Sequence, residues 1–252
     1  MSLCVTVGSQ SVNGSTMIIQ GVTLVGVTVY DGVVSNGLQL YLDANNTTSY
    51  PGTGTTWFDL SGNGNDVTMQ NSGSISYTAS GGGYFTLASN GYFNRATTTG
   101  IPTGTSAYTM SVWVQWPTGT WPTFGGMIGI GNSITVNQTN QLRTTGTNTL
   151  INYWYTNDLA ATSTVSPASQ WANIVAQWDG TTRKIWVNGT QFASAGATGL
   201  NVTSSLLQVG ATNVGATETL QGRIGQALVY NRALTSTEIQ TNYTITRSRY
   251  GV

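Results

Sequence analysis

The sequence has very little charge and no histidine. Eight basic and eight acidic residues make up 6% of the chain, whereas an ordinary soluble domain is about 25% charged. General acid–base catalysis most often uses histidine or a pair of tuned carboxylates. Glu218 and Glu238 are the only glutamates, no Glu-x-Asp-x-x-Glu pattern is present, and a Ser-His-Asp site is impossible. We therefore expect a binding protein or a structural protein and not an enzyme.

Cysteine and long apolar runs are also scarce. Cys4 is the only cysteine, so the chain cannot form an internal disulfide. No window approaches the ~20 apolar residues that span a bilayer, and residues 1–10 lack the features of an export signal. The formal net charge is zero, which indicates neither nucleic acid nor an anionic membrane as a partner. An exterior-type composition without an export signal is typical of a virus structural protein that leaves its host by lysis.

The chain is rich in glycine, aromatic residues and uncharged polar residues. It has 32 glycines, 8 tryptophans and 12 tyrosines, the reverse of a composition that stays disordered. Every second position of one stretch is a similar apolar residue, namely Met110, Val112 and Val114, and residues of other kinds lie between them. This is the period of a sheet strand with two unlike faces. Turns at Asp179-Gly180 and Asn188-Gly189 predict hairpins. This rhythm predicts a mainly β protein, a two-sheet antiparallel sandwich.

The first residues form a segment of a different kind. From Val5 to Val34, short β-rich pieces are broken by turns such as Asn13-Gly14 and Asp31-Gly32. About thirty residues are too few for an independent core, so the segment needs either the main domain or a neighbouring subunit to pack on. We predict a β-rich N-terminal anchoring arm at residues 1–36 and one main domain at residues 37–252.

One helix is visible near the C-terminus. Thr235 and Glu238 have the spacing of a capping box, and Leu234 and Ile239 the spacing of a hydrophobic staple. The apolar face of a short helix running to about Thr246 should pack on the edge of the sandwich. Arg247 and Arg249 follow, where cations suit the helix dipole; gripping a partner is the alternative interpretation.

These pieces, in this order, resemble the laminin-G-like branch of the concanavalin A-like jelly rolls, especially versions found in bacteriophage structural proteins. The resemblance covers Gly37 to Tyr250 and implies a jelly roll of two sheets. Where relatives often carry an aspartate, the stretch from Leu87 to Tyr92 has no acidic residue, which weakens any transfer of their calcium site. The resemblance rests on these blocks: Gly37–Ala44, Tyr50–Gly52 with Trp57–Asn65, Thr109–Val114, Trp171, Trp186–Gly189, and Gly222–Gly225 with Val229–Thr235.

One loop has the pattern of a calcium site. Asp59, Ser61 and Asn63 match the oxygen ligands at positions 1, 3 and 5 of an EF-hand loop, but position 12 is Gln70, where a bidentate glutamate is needed. An EF-hand is therefore excluded. Two interpretations remain open: a calcium ion held by these three residues and Asn65, or a turn whose side chains hydrogen-bond the backbone.

A second set of residues has the composition of a sugar-binding face. Flat rings beside amide and carboxylate groups suit a sugar ring, and many jelly rolls bind glycans in this way. Packing in the core or at subunit contacts would account for the same rings. The candidate residues are Trp116, Trp121, Tyr153, Trp154, Tyr155 and Asp158.

We predict a non-enzymatic protein of the virion surface, a phage capsid decoration, cement or fibre-type component. Its jelly roll would face outward, and residues 1–36 would attach it to other virion proteins of the capsid or tail. Scarce charge leaves little repulsion between subunits, so we expect a homo-oligomer or a multi-copy assembly. The alternative is a glycan-binding module, on a cell surface or a virion, that attaches to host glycans.

Overall fold

Short runs of β-branched and aromatic residues between glycine and asparagine turns form the strands of this protein. The computed structural model describes residues 16–19, 22–25, 32–116, 121–131, 134–145, 148–162, 169–212 and 216–252. In chain order the strands are β1 (Thr16–Ile19), β2 (Val22–Val25), β3 (Leu38–Asp43), β4 (Thr56–Trp57), β5 (Val67–Gln70), β6 (Ile75–Thr78), β7 (Tyr84–Leu87), β8 (Tyr92–Arg95), β9 (Tyr108–Gln115), β10 (Gly126–Ile130), β11 (Asn140–Thr145), β12 (Thr149–Tyr153), β13 (Leu159–Thr162), β14 (Ala172–Trp178), β15 (Thr182–Val187), β16 (Thr190–Gly196), β17 (Leu207–Val209), β18 (Ala211–Thr212), β19 (Glu218–Thr219) and β20 (Arg223–Tyr230). Within these ranges the helix α1 spans Ser236–Arg247, and 3₁₀ turns lie at Ser72–Ser74 and Ser248–Tyr250.

Two antiparallel sheets form the sandwich. The first sheet has the order β16-β15-β14-β9-β20-β7-β6, with β3 also paired to β20. The second sheet has the order β13-β12-β11-β10-β17-β8-β5-β4, and the short hairpin β18–β19 stands apart from both. The predicted fold class, a mainly β two-sheet sandwich with one short C-terminal helix, is confirmed.

The main core lies between the sheets. Met110, Val112 and Val114 of β9 belong to the same buried cluster as Leu142 and Leu150 of the second sheet. The intervening Trp113 instead joins a separate cluster with Tyr243 and Tyr250. The alternation of β9 therefore separates two apolar layers, one on each side of the first sheet.

Helix α1 covers the outward face of the first sheet. The capping box is present: Glu238 N donates to Thr235 Oγ1 over 3.2 Å, and Thr235 N donates to Glu238 Oε2 over 2.8 Å. The ring of Trp113 stacks on Tyr243, and its Nε1 donates to Thr246 Oγ1 over 2.9 Å. The helix thus lies over a central strand, not on the sandwich edge as expected, because the outward side chains of β9, β14 and β20 include large apolar groups.

Both predicted hairpin turns are confirmed. Asp179 joins β14 to β15, and its Oδ1 accepts the backbone N–H groups of Thr181 and Thr182 over 2.9 and 2.8 Å. Asn188 and Gly189 join β15 to β16 with φ values of 50° and 76°. Positive φ at both central residues gives the strand twist that a two-residue hairpin needs.

The N-terminal arm is described only in part. β1 and β2 pair in register from Thr16↔Val25 to Ile19↔Val22, and in the described ranges neither pairs with another strand. Residues 1–15, 20–21 and 26–31, including Cys4, lie outside the described residues. The division into an arm at residues 1–36 and a domain at residues 37–252 stays a prediction. Within the described ranges, none of the helices has the length and apolar character to cross a bilayer.

Candidate functional site

The outward face of the second sheet carries the main candidate site. Leu142 of β11 is buried in the core, so strand alternation places its neighbours Gln141 and Arg143 on the opposite side. Gln141 pairs directly with Tyr153, and Arg143 pairs with Ile151. Because paired residues of antiparallel strands share a face, Tyr153 and Gln141 are lateral neighbours on the outward side.

The hairpin β18–β19 crosses this face. A Cβ atom on Gly126 would collide with the backbone of Thr212 and Glu218, so glycine is required where the hairpin meets β10. Gln141 and Gln208 lie on either side of Gly129 in the sheet register and are buried, with no hydrogen-bond partner for either Oε1 among the described residues. Unpaired buried polar atoms are uncommon in folded cores, so this polar layer beneath the hairpin is an unusual feature of the second sheet.

Arg143 is the centre of the candidate site. Its guanidinium carbon lies 3.8 Å from the ring centroid of Tyr153 and 5.3 Å from that of Phe124. Its Nη1 forms an ion pair with Glu218, which also accepts a hydrogen bond of 3.2 Å from Thr212 Oγ1. The Arg143 and Glu218 side chains are only 7% and 13% exposed. A paired, largely desolvated guanidinium thus lies beside two aromatic rings.

The aromatic rings of this cluster remain partly accessible. Phe124 is 48% exposed, and Tyr153 is half-buried. Burial raises the pKa of Tyr153, an effect that the positive charge of Arg143 opposes. Tyr155 lies edge-on to Tyr153 with the ring centroids 6.0 Å apart. Together these three rings form an accessible aromatic rim around a buried ion pair.

The loop after β12 holds the edge of this rim in a strained conformation. Tyr155 and Thr156 have φ values of 58° and 62°, a left-handed region that is rare for non-glycine residues and costly for β-branched ones. Trp154 N donates to Asp158 Oδ1 over 3.0 Å, and Arg183 Nη1 donates to the Asn157 carbonyl over 2.6 Å. The strain is therefore held in place by the surrounding contacts. Desolvation raises the pKa of the Asp158 carboxyl.

Three of the six residues predicted to bind sugar meet at this rim, namely Tyr153, Tyr155 and Asp158. The other three, Trp116, Trp121 and Trp154, are buried, at 1%, 8% and 0% exposure. Their ring faces are therefore closed to a sugar, which corrects the expectation for these residues.

The packing of the three tryptophans gives the physical reason. Trp116 and Trp121 stack on each other at 5.4 Å, and Trp116 Nε1 donates to the Leu220 carbonyl over 2.8 Å. Trp154 packs edge-on against Trp178 at 5.1 Å. Large rings bury much apolar area, and the N–H of Trp116 finds its acceptor inside the protein. The core-packing alternative describes these tryptophans.

Sequence reasoning missed the residues at the centre of the site: Phe124, Arg143 and Glu218. The alternation from Gln141 to Thr145 would have placed Arg143 on one face of a strand, and an arginine in so uncharged a chain is itself a signal. Its pairing with Glu218 could not be found in this way, because the two residues lie far apart in the sequence.

The predicted calcium loop is organised by its own hydrogen bonds. Asp59 Oδ1 accepts the N–H groups of Tyr41 and Ser61 over 2.8 and 2.9 Å. Asp59 Oδ2 accepts from Ser61 Oγ over 2.7 Å and from Asn65 N over 2.9 Å. Both carboxylate oxygens therefore already have two donors each.

The asparagine side chains of the same loop donate hydrogen bonds to backbone carbonyl groups. Asn63 Nδ2 donates to the Leu38 carbonyl over 3.2 Å, and Asn65 Nδ2 donates to the Gln39 and Thr99 carbonyls over 2.9 and 2.8 Å. Calcium takes six to eight oxygen ligands. In this arrangement the four residues do not fit that requirement, and in the described ranges no group of three or more histidine, cysteine, aspartate or glutamate residues could hold a metal. The hydrogen-bonded turn is the interpretation that fits.

The comparison with protein families identifies the fold. A laminin-G-type family model, described as "Concanavalin A-like lectin/glucanases superfamily", matches residues 80–240. The chain belongs to the concanavalin A-like lectin/glucanase superfamily. This confirms the resemblance to the laminin-G-like jelly rolls, whereas the bacteriophage context stays a prediction. A search of curated proteins gave no match.

Solved structures of this superfamily fold are similar to the chain at low sequence identity. The binding domain of botulinum neurotoxin serotype G superposes with a TM-score of 0.62 at 17% identity, covering 83% of this chain and 51% of that one. Domain 4 of AbnA, a GH43 extracellular arabinanase from Geobacillus stearothermophilus, was solved in complex with arabinotriose. It superposes with a TM-score of 0.60 at 17% identity, covering 83% of this chain and 98% of that domain.

A third similar structure belongs to botulinum neurotoxin type C, whose cell entry is described as dependent upon interaction with two ganglioside molecules. It superposes with a TM-score of 0.61 at 14% identity, covering 83% of this chain and 51% of that one. The chain thus spans about half the length of the toxin structures that it matches. At these identities the likeness shows a shared lectin-like jelly roll.

Proposed function

We propose that the chain is a non-enzymatic carbohydrate-binding domain and that its site is the rim around Arg143. The observation that carries the proposal is the position of Phe124 and Tyr153, two accessible rings whose centroids lie 5.3 and 3.8 Å from the guanidinium carbon of the Arg143–Glu218 pair. Flat apolar rings beside a few fixed polar groups are the usual components of a site for a small polar ligand. Asp158 and Tyr155 extend the same rim.

The similar structures support a binding role. One toxin structure is described as a binding domain, another belongs to a toxin whose cell entry depends on gangliosides, and the arabinanase domain was solved with an oligosaccharide. The chemistry of the rim agrees with binding. Glu218 is held by Arg143 and Thr212, and the chain has no histidine to serve as a general acid or base. We expect oligosaccharides to be bound and not hydrolysed.

Phe124 provides the sharpest test because the chain offers a matched control. Phe58, 41% exposed against 48% for Phe124, follows β4 at the far edge of the same sheet from β12 and β13. After a glycan array selects an oligosaccharide, calorimetry on the wild type, Phe124→Ala and Phe58→Ala compares the two positions.

Phe124→Ala should weaken binding by about tenfold, the usual loss for a central aromatic contact, while Phe58→Ala should leave the affinity unchanged. An array without hits on folded protein would contradict the proposal. Equal affinities of the two variants would show that the sugar binds elsewhere.

We further propose that the domain acts on the surface of a virion, attached by residues 1–36 and present in many copies. Residues 1–30 contain no charged side chain, and the described strands of the arm pair only with each other. An isolated two-stranded hairpin is marginal in water, so this arm calls for a surface to pack on. Deleting residues 1–31, which retains the buried Val33 and the Val34 N–H that donates to Asn242 Oδ1 over 2.9 Å, should abolish incorporation into particles and leave sugar affinity intact. Normal incorporation of the shortened chain would contradict this role.

A further inference from the structure

We infer that the rim around Arg143 selects neutral glycans over those that carry sialic acid or a uronic acid. This inference rests on the proposed function and names its ligand class. It follows from the state of the charged groups at the rim: the cations are buried and paired, whereas one carboxylate is exposed.

The cations near the rim are already engaged. Arg143 is paired with Glu218 and covered by the ring of Tyr153. Arg183 is 3% exposed, with its guanidinium 4.1 Å from the Trp154 ring centroid and bonded to the carbonyl of Asn157. Both guanidinium groups are thus buried and already bonded, so an acidic sugar at this rim finds neither of them available.

Recognition of a carboxylate would require Arg143 to change partners. Arginine binds carboxylates best through two parallel N–H groups, and here one end of the guanidinium already contacts Glu218. If a ligand took that place, the Glu218 carboxylate would remain in a largely buried position without its cation, which is strongly unfavourable. A sugar hydroxyl both donates and accepts, so it can bind beside the pair without separating it.

The charge that an approaching ligand meets first is negative. Asp158 is exposed, and it lies on the loop that continues from Tyr153. Its Oδ1 accepts the backbone N–H of Trp154, the residue after Tyr153, over 3.0 Å, which holds this carboxylate at the end of the strand that carries the Tyr153 ring. An anionic ligand over Tyr153 is therefore repelled at short range, and salt screens this repulsion because Asp158 faces water.

Matched pairs of ligands test the inference. Each pair consists of a neutral oligosaccharide and the same oligosaccharide carrying sialic acid or glucuronic acid, for example lactose and 3′-sialyllactose. Binding is measured by array and calorimetry on the wild type, Asp158→Asn and Asp66→Asn. Asp66 is the control because its carboxylate, like that of Asp158, accepts one backbone N–H, from Asp59 over 2.8 Å, and an asparagine keeps that acceptor.

We expect the neutral member of each bound pair to bind more tightly. Asp158→Asn should raise the affinity for the acidic member by about threefold at low salt, with little change at high salt, whereas Asp66→Asn should change neither. Tighter binding of the acidic members, or no gain in Asp158→Asn, would overturn the inference and leave the proposed function standing. Binding of neither member of any pair would overturn the proposed function as well.

Discussion

The two sheets have the same alternating strands, but their outward faces are used differently. On the first sheet, Trp113, Val175 and Leu228 point outward and are covered by α1 and the residues that follow it. On the second sheet, the outward residues include Gln141, Arg143 and Tyr153, and among the described elements no helix packs on them. The difference shows that one strand pattern can build either a second core layer or a buried polar layer with an accessible aromatic rim.

The ion pairs of the two faces show the same contrast. Arg249 lies 2.8 Å from Asp43, a fully buried carboxylate that also accepts from Asn45 N over 2.9 Å. That pair ties the C-terminal residues to β3 and has no accessible ring rim. The Arg143–Glu218 pair is buried to a similar degree, but it lies beside rings that solvent reaches. The first pair therefore stabilises the fold, and the second is the one on which the proposed binding site is centred.

The largest expected effect comes from breaking the pair under the helix face. Asp43→Ala leaves Arg249 without its partner in a buried position, and loss of one partner of a buried ion pair costs about 3–5 kcal/mol. Urea denaturation should show this decrease in the free energy of unfolding, while sugar affinity of the folded fraction is unchanged. The control is Asp66→Ala, which removes one hydrogen bond of about 1 kcal/mol. Equal losses in the two variants would contradict the structural role of Asp43.

A smaller effect is expected at the start of α1. Hydrogen bonds from Arg232 hold the pKa of Glu238 at about 2, below its ordinary value of 4.5. Because the pKa is lower in the folded state, the contribution of Glu238 is fully present above pH 4.5 and is lost as the pH falls towards 2. Thr235→Ala should cost about 1 kcal/mol at neutral pH.

The pH dependence has its own control. The melting temperature of the wild type should fall more steeply between pH 4.5 and 2 than that of Glu238→Gln, because the variant has no carboxyl at this position to titrate. Parallel curves for the two proteins would show that Glu238 does not stabilise the helix through its charge. Neither variant should alter sugar binding on the second sheet.

The features predicted correctly from sequence depend on residues close together in the chain. The capping box needs only Thr235 and Glu238, and each hairpin turn needs two adjacent residues. Whether Trp116 and Trp154 are exposed depends instead on strands that are distant in sequence. The same aromatic pattern was therefore compatible with packing in the core and with a sugar-binding surface. The placement of α1 over Trp113 was missed for the same reason.

The smallest expected effect is that of a chelator. The four hydrogen bonds to the Asp59 carboxylate organise its loop without an ion, so EDTA should leave the melting temperature unchanged. Asp59→Ala removes both carboxylate oxygens and with them all four hydrogen bonds. This variant should have a lower melting temperature both in the absence and in the presence of EDTA. A decrease on adding EDTA to the wild type, reversed by calcium, would restore the calcium interpretation.

The comparison of the two outward faces is tested most directly by mapping where a sugar binds. Isotope-labelled protein is titrated with a glycan selected on the array, and the shifts of its backbone amide signals are recorded. We expect the largest shifts on β11, β12 and the loop from Trp154 to Asp158. Largest shifts on α1 and the first sheet would contradict it.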